Sequence, residues 1–239
     1  MEVFNFQHIG QRKDQEDAMY LDPKNKLFIV CDGVGGSKYG DVASRLVVDT
    51  IVKHYENTTA SITEDSLKYF INESMLRISR VAEEDASFDG MATTLSLLYL
   101  DEHKAIVAHV GDSRVYHIKS KDEWTVTKDH SMVRELFDAG VLKSEVEMST
   151  HPYRNRITKA IKATPKKTGI EPEIRTIQNI GSNEIFIICS DGAVENYLSE
   201  HLVEHFTNET MTLKSLWNLY KENCKQNSID NNTCILVHT

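Results

Sequence analysis

Three apolar runs in this sequence each end in an aspartate beside a glycine: LFIVCDG at Asp32, AIVAHVGDS at Asp112 and IFIICSDG at Asp191. Taken singly, Asp-Gly after a strand signals a hairpin turn. Three copies, on strands ending at one edge of a sandwich, would instead crowd carboxylates that repel unless protonated or neutralised. A divalent cation resolves the conflict, and a donor set made only of oxygens selects the hard ions Mg²⁺ or Mn²⁺; no His/Cys cluster of zinc spacing competes. Two further segments fit the same place. GQRKDQEDA sets Arg12 ahead of Asp17 with Glu16 beside it, and SIDNNTCILV sets Asp230 before the last apolar run. Next to a cation cluster, Arg12 has the planar fork that grips two oxygens of a phosphate. Its other use is a surface ion pair with Asp14 or Glu16.

The stretch FIVCDGVGGSKYG looks like a glycine-rich phosphate cradle, yet it begins with Asp32, and a backbone nest for phosphate wants positive potential. The two features agree if phosphate is met through cations, the glycines letting backbone and carboxylate approach them closely. GSKYG then need not touch phosphate.

The elements that must position these residues are mostly strands. EVFNF, KLFIVCD, TTLSLLYL, KAIVAHVGD, RVYHI, EWTV, EIRTI, NEIFIICSD and TCILV are alternating or wholly apolar runs separated by turn signals, as antiparallel strands are. Helical spacing places Leu67, Phe70, Ile71, Met75, Ile78 and Val81 on one face, and Leu213, Leu216, Trp217, Tyr220 and Cys224 on another; a third helix is predicted from Asp41 to His54. Many strands with a few long amphipathic helices predict an α+β fold: a sandwich of two antiparallel sheets flanked by helices, in four α-β-β-α layers. A single domain over residues 1–239 is expected, with a polar, basic surface flap at roughly 140–168.

The formal net charge of −9 argues against nucleic acid and anionic membrane as partners, both being polyanions, and favours a divalent cation. With no basic-then-apolar N-terminus and no apolar run near the ~20 residues a bilayer requires, the expected location is cytoplasmic. Four scattered cysteines, Cys31, Cys189, Cys224 and Cys234, with no C-x-x-C pair, read as reduced core residues.

At these residues the chain resembles the metal-dependent protein phosphatases, the PPM family of type 2C serine/threonine phosphatases, in compact bacterial form. The matching motifs run in order: Arg12 with Glu16-Asp17, DGVGG from Asp32, MATTL from Met91, VGDSR from Val110, TKDHSMVREL from Thr127, HPYRNRITKAI from His151, CSDG from Cys189 and DNNTCILV from Asp230. The resemblance implies a binuclear Mn²⁺ or Mg²⁺ centre with a weaker third ion. Asp32 would bridge two ions, the Gly33 carbonyl would join it, Asp191 and Asp230 would complete the pair, and Asp112 would hold the third. Asp17 would hold metal-bound water, with Glu16 and Asn231 in support, and Arg12 would bind the substrate phosphate. The implied reaction is hydrolysis of phosphoserine or phosphothreonine on proteins by direct attack of a metal-bridging hydroxide, with no covalent phosphoenzyme. Substrates would be phosphoproteins made by an opposing serine/threonine kinase, and the chain is expected to be a monomer. Three positions depart from the family pattern: Val34 where animal members carry a histidine general acid, Ala92 for the usual glycine of MGTTL, and Lys162 for a glycine after the flap motif.

Rival chemistries lack their residues. No cysteine has an arginine six positions on, and the D-x-D pair of aspartyl-phosphate enzymes is absent. Asp129-His130-Ser131 reads as a cap before the next helix, with Asp129 or Ser131 accepting backbone N–H groups, because adjacent side chains rarely converge as a triad. The alternatives are a catalytically dead phosphoprotein-binding scaffold and a phosphatase of a sigma-pathway phosphoserine regulator.

Overall fold

A computed structural model describes residues 1–24, 26–34, 39–163 and 169–239. Gly35 and Gly36 of the DGVGG motif, with Ser37 and Lys38, and the end of the flap interval at 164–168 therefore lie outside the described residues.

In chain order the elements are β1 (Glu2–His8), β2 (Ala18–Leu21), β3 (Leu27–Cys31), α1 (Gly40–Glu56), α2 (Glu64–Glu84), β4 (Ala92–Thr93), β5 (Leu95–Leu100), β6 (Lys104–Val110), β7 (Arg114–Ile118), β8 (Trp124–Val126), α3 (Met132–Asp138), α4 (Glu145–Thr150), β9 (Ile161–Lys162), β10 (Glu173–Gln178), β11 (Ile185–Cys189), α5 (Ser199–Phe206), α6 (Leu213–Asn227) and β12 (Asn232–His238). Two five-stranded antiparallel sheets result, ordered β1-β12-β11-β7-β8 and β10-β6-β5-β3-β2. A short β4-β9 ladder stands apart.

The wholly apolar strands are explained by burial on both faces. In β3, Phe28 and Val30 point into the core between the sheets with Phe186, Ile188, Ile235 and Val237. Its alternate residues Leu27, Ile29 and Cys31 face outward, where Val47 and Ile51 of α1 and Ile71 and Met75 of α2 cover them. In the other sheet, Ile187 of β11 and Leu236 of β12 face outward beneath Leu202 of α5 and Trp217 and Tyr220 of α6. Side chains alternate along a strand, so a strand feeding two cores must be apolar at every position. The architecture is the expected α-β-β-α sandwich.

The third predicted helix is slightly longer than 41–54, running over Gly40–Glu56. The helix after the DHS stretch is capped as expected at one of the two candidates: Ser131 Oγ accepts from Arg134 N, whereas Asp129 is engaged elsewhere. Short helices α4 and α5 had no sequence signal, since six and eight residues hold too few turns for a 3.6-residue period to show. Over its described residues, 140–163, the flap is accordingly more ordered than a solvated loop. It contains α4, its returning segment pairs Ser131 with Ile157, and Thr158 N donates to the His130 carbonyl at 2.8 Å. Lys162 sits exposed in β9, directly opposite Ala92 of β4, so two of the departures from the family pattern are cross-strand partners in one ladder.

Candidate active site

Asp32 follows β3 at once, and its backbone is held by two threonines. Its N–H donates to Thr94 Oγ1 at 3.0 Å. Its carbonyl accepts from Thr94 N and from Thr93 Oγ1, both at 2.8 Å. Thr94 Oγ1 lies 2.6 Å from Ser113 Oγ. Thr94 Oγ1 thus accepts from the Asp32 amide while sharing a hydrogen bond, in which either hydroxyl can donate, with Ser113, the neighbour of Asp112. The MATTL and VGDSR motifs share a hydroxyl pair that ties the Asp32 amide to the residue following Asp112. Gly111 makes this approach possible: its φ is +103°, and a Cβ there would stand 2.6 Å from Thr94 Cγ2.

The loop carrying Arg12 to Asp17 is braced mainly by Asn231. Asn231 Oδ1 accepts from Glu16 N at 2.8 Å, and Nδ2 donates to the carbonyls of Ile9 at 2.8 Å and Asp14 at 3.0 Å. The Glu16 carbonyl receives Ser44 Oγ at 2.6 Å and Gly33 N at 3.2 Å. Gly33 passes so close to α1 that a Cβ would meet the Gly40 backbone at 2.5 Å.

Glu16, Asp32, Gly33, Asp112, Asp191, Asp230 and Arg12 line one cavity of about 140 Å³, together with Val34, Thr94, Asn155 and Ile157. Seven of the sequence-predicted residues therefore meet in one place. The other two stand behind it: Asn231 as the loop brace, and buried Asp17, whose Oδ2 accepts from Ser190 Oγ at 3.0 Å. Thr94, Ser113 and Ser190 were not predicted as site residues. Neither were Asn155 and Ile157, which the flap brings over the cavity and which only the folded flap could identify.

The electrostatics are those of crowded carboxylates. Burial, then Asp17, Asp191 and Asp112, push the Asp32 carboxyl well above the aspartate range. Burial and Asp191 do the same to Asp112, burial and Asp230 raise Asp191, and burial lifts Asp17 to about 7. Two buried oxygens, Asp17 Oδ1 and Asp191 Oδ1, have no hydrogen-bond partner. Orphaned acceptors in an all-oxygen set, with a single guanidinium among the residues lining the cavity, fit a hard divalent cation. That guanidinium corrects one expectation: Arg12 pairs with Asp230, Nη2 to Oδ2 at 2.5 Å, and not with Asp14 or Glu16. It remains half exposed at the rim.

A second polar cluster, His109, His130 and Glu173, brings ligand atoms within 4.8 Å of one another. Its hydrogen bonds argue against a cation there. His130 Nδ1 accepts from Gly111 N at 3.0 Å, so its proton sits on Nε2 and points to Glu173 Oε1 at 3.2 Å. The two imidazoles stack within 2° of parallel, so one ion cannot lie in both ring planes.

Comparison with known proteins agrees with this geometry. A model of the family described as protein phosphatase 2C matches residues 6–218. Protein phosphatase PhpP of Streptococcus pneumoniae is 27% identical over 243 residues, spanning 99% of this chain and 97% of that protein. Serine/threonine phosphatase stp of Listeria innocua is 29% identical over 224 residues, covering 90% of this chain and 84% of that one. The crystal structure of serine/threonine phosphatase Stp1 from Staphylococcus aureus superposes with a TM-score of 0.88 at 28% identity, over 100% of this chain and 94% of that one. By fold, site and family match, this chain belongs to the protein phosphatase 2C family and is a protein phosphatase.

Proposed function

We propose that the chain is a single-domain, divalent-cation-dependent serine/threonine protein phosphatase. The observation that carries this reading is the buried carboxylate cluster with an orphaned oxygen on Asp191 and a guanidinium at its rim. Asp32, the Gly33 carbonyl, Asp191 and Asp230 would hold two Mn²⁺ or Mg²⁺ ions, and Asp112 a weaker third. Such ions neutralise charge on the phosphoryl oxygens and supply a nucleophile at neutral pH.

The chain's own residues do the rest. Arg12 binds the substrate phosphate and orients its ester oxygen away from the carboxylates. Asp17 accepts hydrogen bonds from water behind the cluster, while Glu16 and Asn231 hold the Arg12 loop to it. The Val34 side chain has no acidic group, so protonation of the leaving alkoxide falls to another donor. The substrates are phosphoproteins made by a serine/threonine kinase, and the enzyme works as a monomer. Support for serine/threonine specificity comes from the Listeria relative's name and the Staphylococcus structure.

The test is phosphate release from a phosphothreonine peptide by chelator-stripped protein, with Mn²⁺ or Mg²⁺ restored and a phosphotyrosine peptide alongside. Activity restored by either ion, and faster on phosphothreonine, is expected. Silence with every divalent ion would overturn the reading and leave the phosphoprotein-binding scaffold.

A further inference from the structure

Gly111 is the residue through which β6 hands the chain on to Asp112, and its backbone is confined from two sides. On one side Thr94 stands too close for any side chain to fit. On the other, His130 takes both polar groups of the same glycine. The buried Gly111 amide donates to His130 Nδ1 at 3.0 Å, and the Gly111 carbonyl accepts from His130 N at 2.8 Å. Two neighbours hold the imidazole in this attitude. Glu173 Oε1, 3.2 Å from Nε2, receives the ring proton and so leaves Nδ1 bare. His109 stacks on the ring with centroids 4.6 Å apart, and its own Nε2 lies 2.8 Å from the Lys128 carbonyl, on the segment that carries His130.

We infer that His130 is a positioning residue of the phosphatase: its Nδ1 lone pair fixes the Gly111 amide and thereby sets Asp112 at the cavity to hold the weakest cation. The inference rests on the function proposed above. His130 grips the two peptide planes that flank Gly111, and those planes decide the direction in which the chain enters Asp112, one residue on and lining the carboxylate cavity. A buried amide stripped of its acceptor must turn to find another, and a glycine resists that rotation least. Asp112 would swing with it. The other carboxylates do not lean on this grip, since Asp32 is held by Thr93 and Thr94 while Asp191 and Asp230 belong to the β11 and β12 ends. The loss should therefore fall on one cation and spare the pair.

Two carboxamides separate the two ring nitrogens. In His130→Asn the amide oxygen can stand where Nδ1 stands and accept from Gly111, whereas in His130→Gln the amide reaches the Nε2 position and faces Glu173 instead. Wild type and both variants are compared by hydrogen exchange at the Gly111 amide in metal-free protein and by equilibrium Mn²⁺ binding. In His130→Gln the Gly111 amide should exchange about 10-fold faster, and the weakest Mn²⁺ site should lose about 10-fold in affinity while the tighter sites stay within about 3-fold. His130→Asn should stay within about 3-fold of wild type in every measure. A Gln variant equal to wild type, both variants failing alike, all Mn²⁺ sites weakening together, or a wild type without a third site would overturn the inference. Phosphothreonine hydrolysis by the wild type, assayed alongside, shows whether the phosphatase reading survives any of these. A wild type that neither binds Mn²⁺ nor releases phosphate would overturn both.

Discussion

Asp191 carries two consequences that pull in opposite directions. Its carboxylate carries one of the two orphaned oxygens in a mutually repelling set, so Asp191→Asn should abolish cation-dependent turnover while raising the melting temperature of the metal-free protein. Thermal scans with and without chelator, set beside an activity assay, check both signs; near-normal activity would remove Asp191 from the site. Arg12 lies at the rim, and Arg12→Ala should lower kcat/KM on phosphopeptides about 10- to 150-fold, the loss of a charge-assisted contact of ~1.5–3 kcal/mol. Thr94 had no role assigned from sequence. Thr94→Val strips the acceptor from the Asp32 amide and should cost about 1–3 kcal/mol in denaturant unfolding, with activity falling alongside. The carboxylates and Arg12 were legible because charge beside glycine after an apolar strand is a pattern along the chain. Thr94, Ser113 and Ser190 were not, because a hydroxyl's meaning depends on which backbone it faces after folding.

Elements show the same division. The long helices and the strands announced themselves by period, and α2 begins where Thr63 and Ser66 exchange hydrogen bonds in a capping box. The flap did not, because it is organised by partners distant in sequence. Glu145 in the first turn of α4 binds both the amide and the hydroxyl of Ser199, capping α5 from another element. Glu145→Ala should therefore uncouple α4 from α5, lowering stability by about 1 kcal/mol and speeding tryptic cleavage at Arg154, Arg156 or Lys159. Limited proteolysis followed by mass spectrometry reads this out; an unchanged cleavage rate would show that the flap is held by other contacts.

At the scale of the molecule, net charge argues against polyanionic partners but does not say how the histidines are used. Burial lowers the pKa of His109 and of His130. The unfolded chain then takes up protons near pH 6.5 that the folded chain refuses, so stability is full above that pH and is lost as pH falls below it. Urea midpoints at pH 5.5 and 7.5 should differ in that sense, and less so in His109→Gln. No helix among the described residues is long and apolar enough to cross a membrane. The first strand pairs with the last along its whole length, Glu2 opposite His238 through His8 opposite Asn232, and these two strands lead to Arg12 and from Asp230. A nascent chain that has not yet presented residues 230–238 therefore lacks both the proposed cation ligand Asp230 and the strand that pairs with β1 ahead of the arginine loop. A chain cut before residue 230 should accordingly release no phosphate from a phosphopeptide, because activity waits on residues 230–238 joining the sheet.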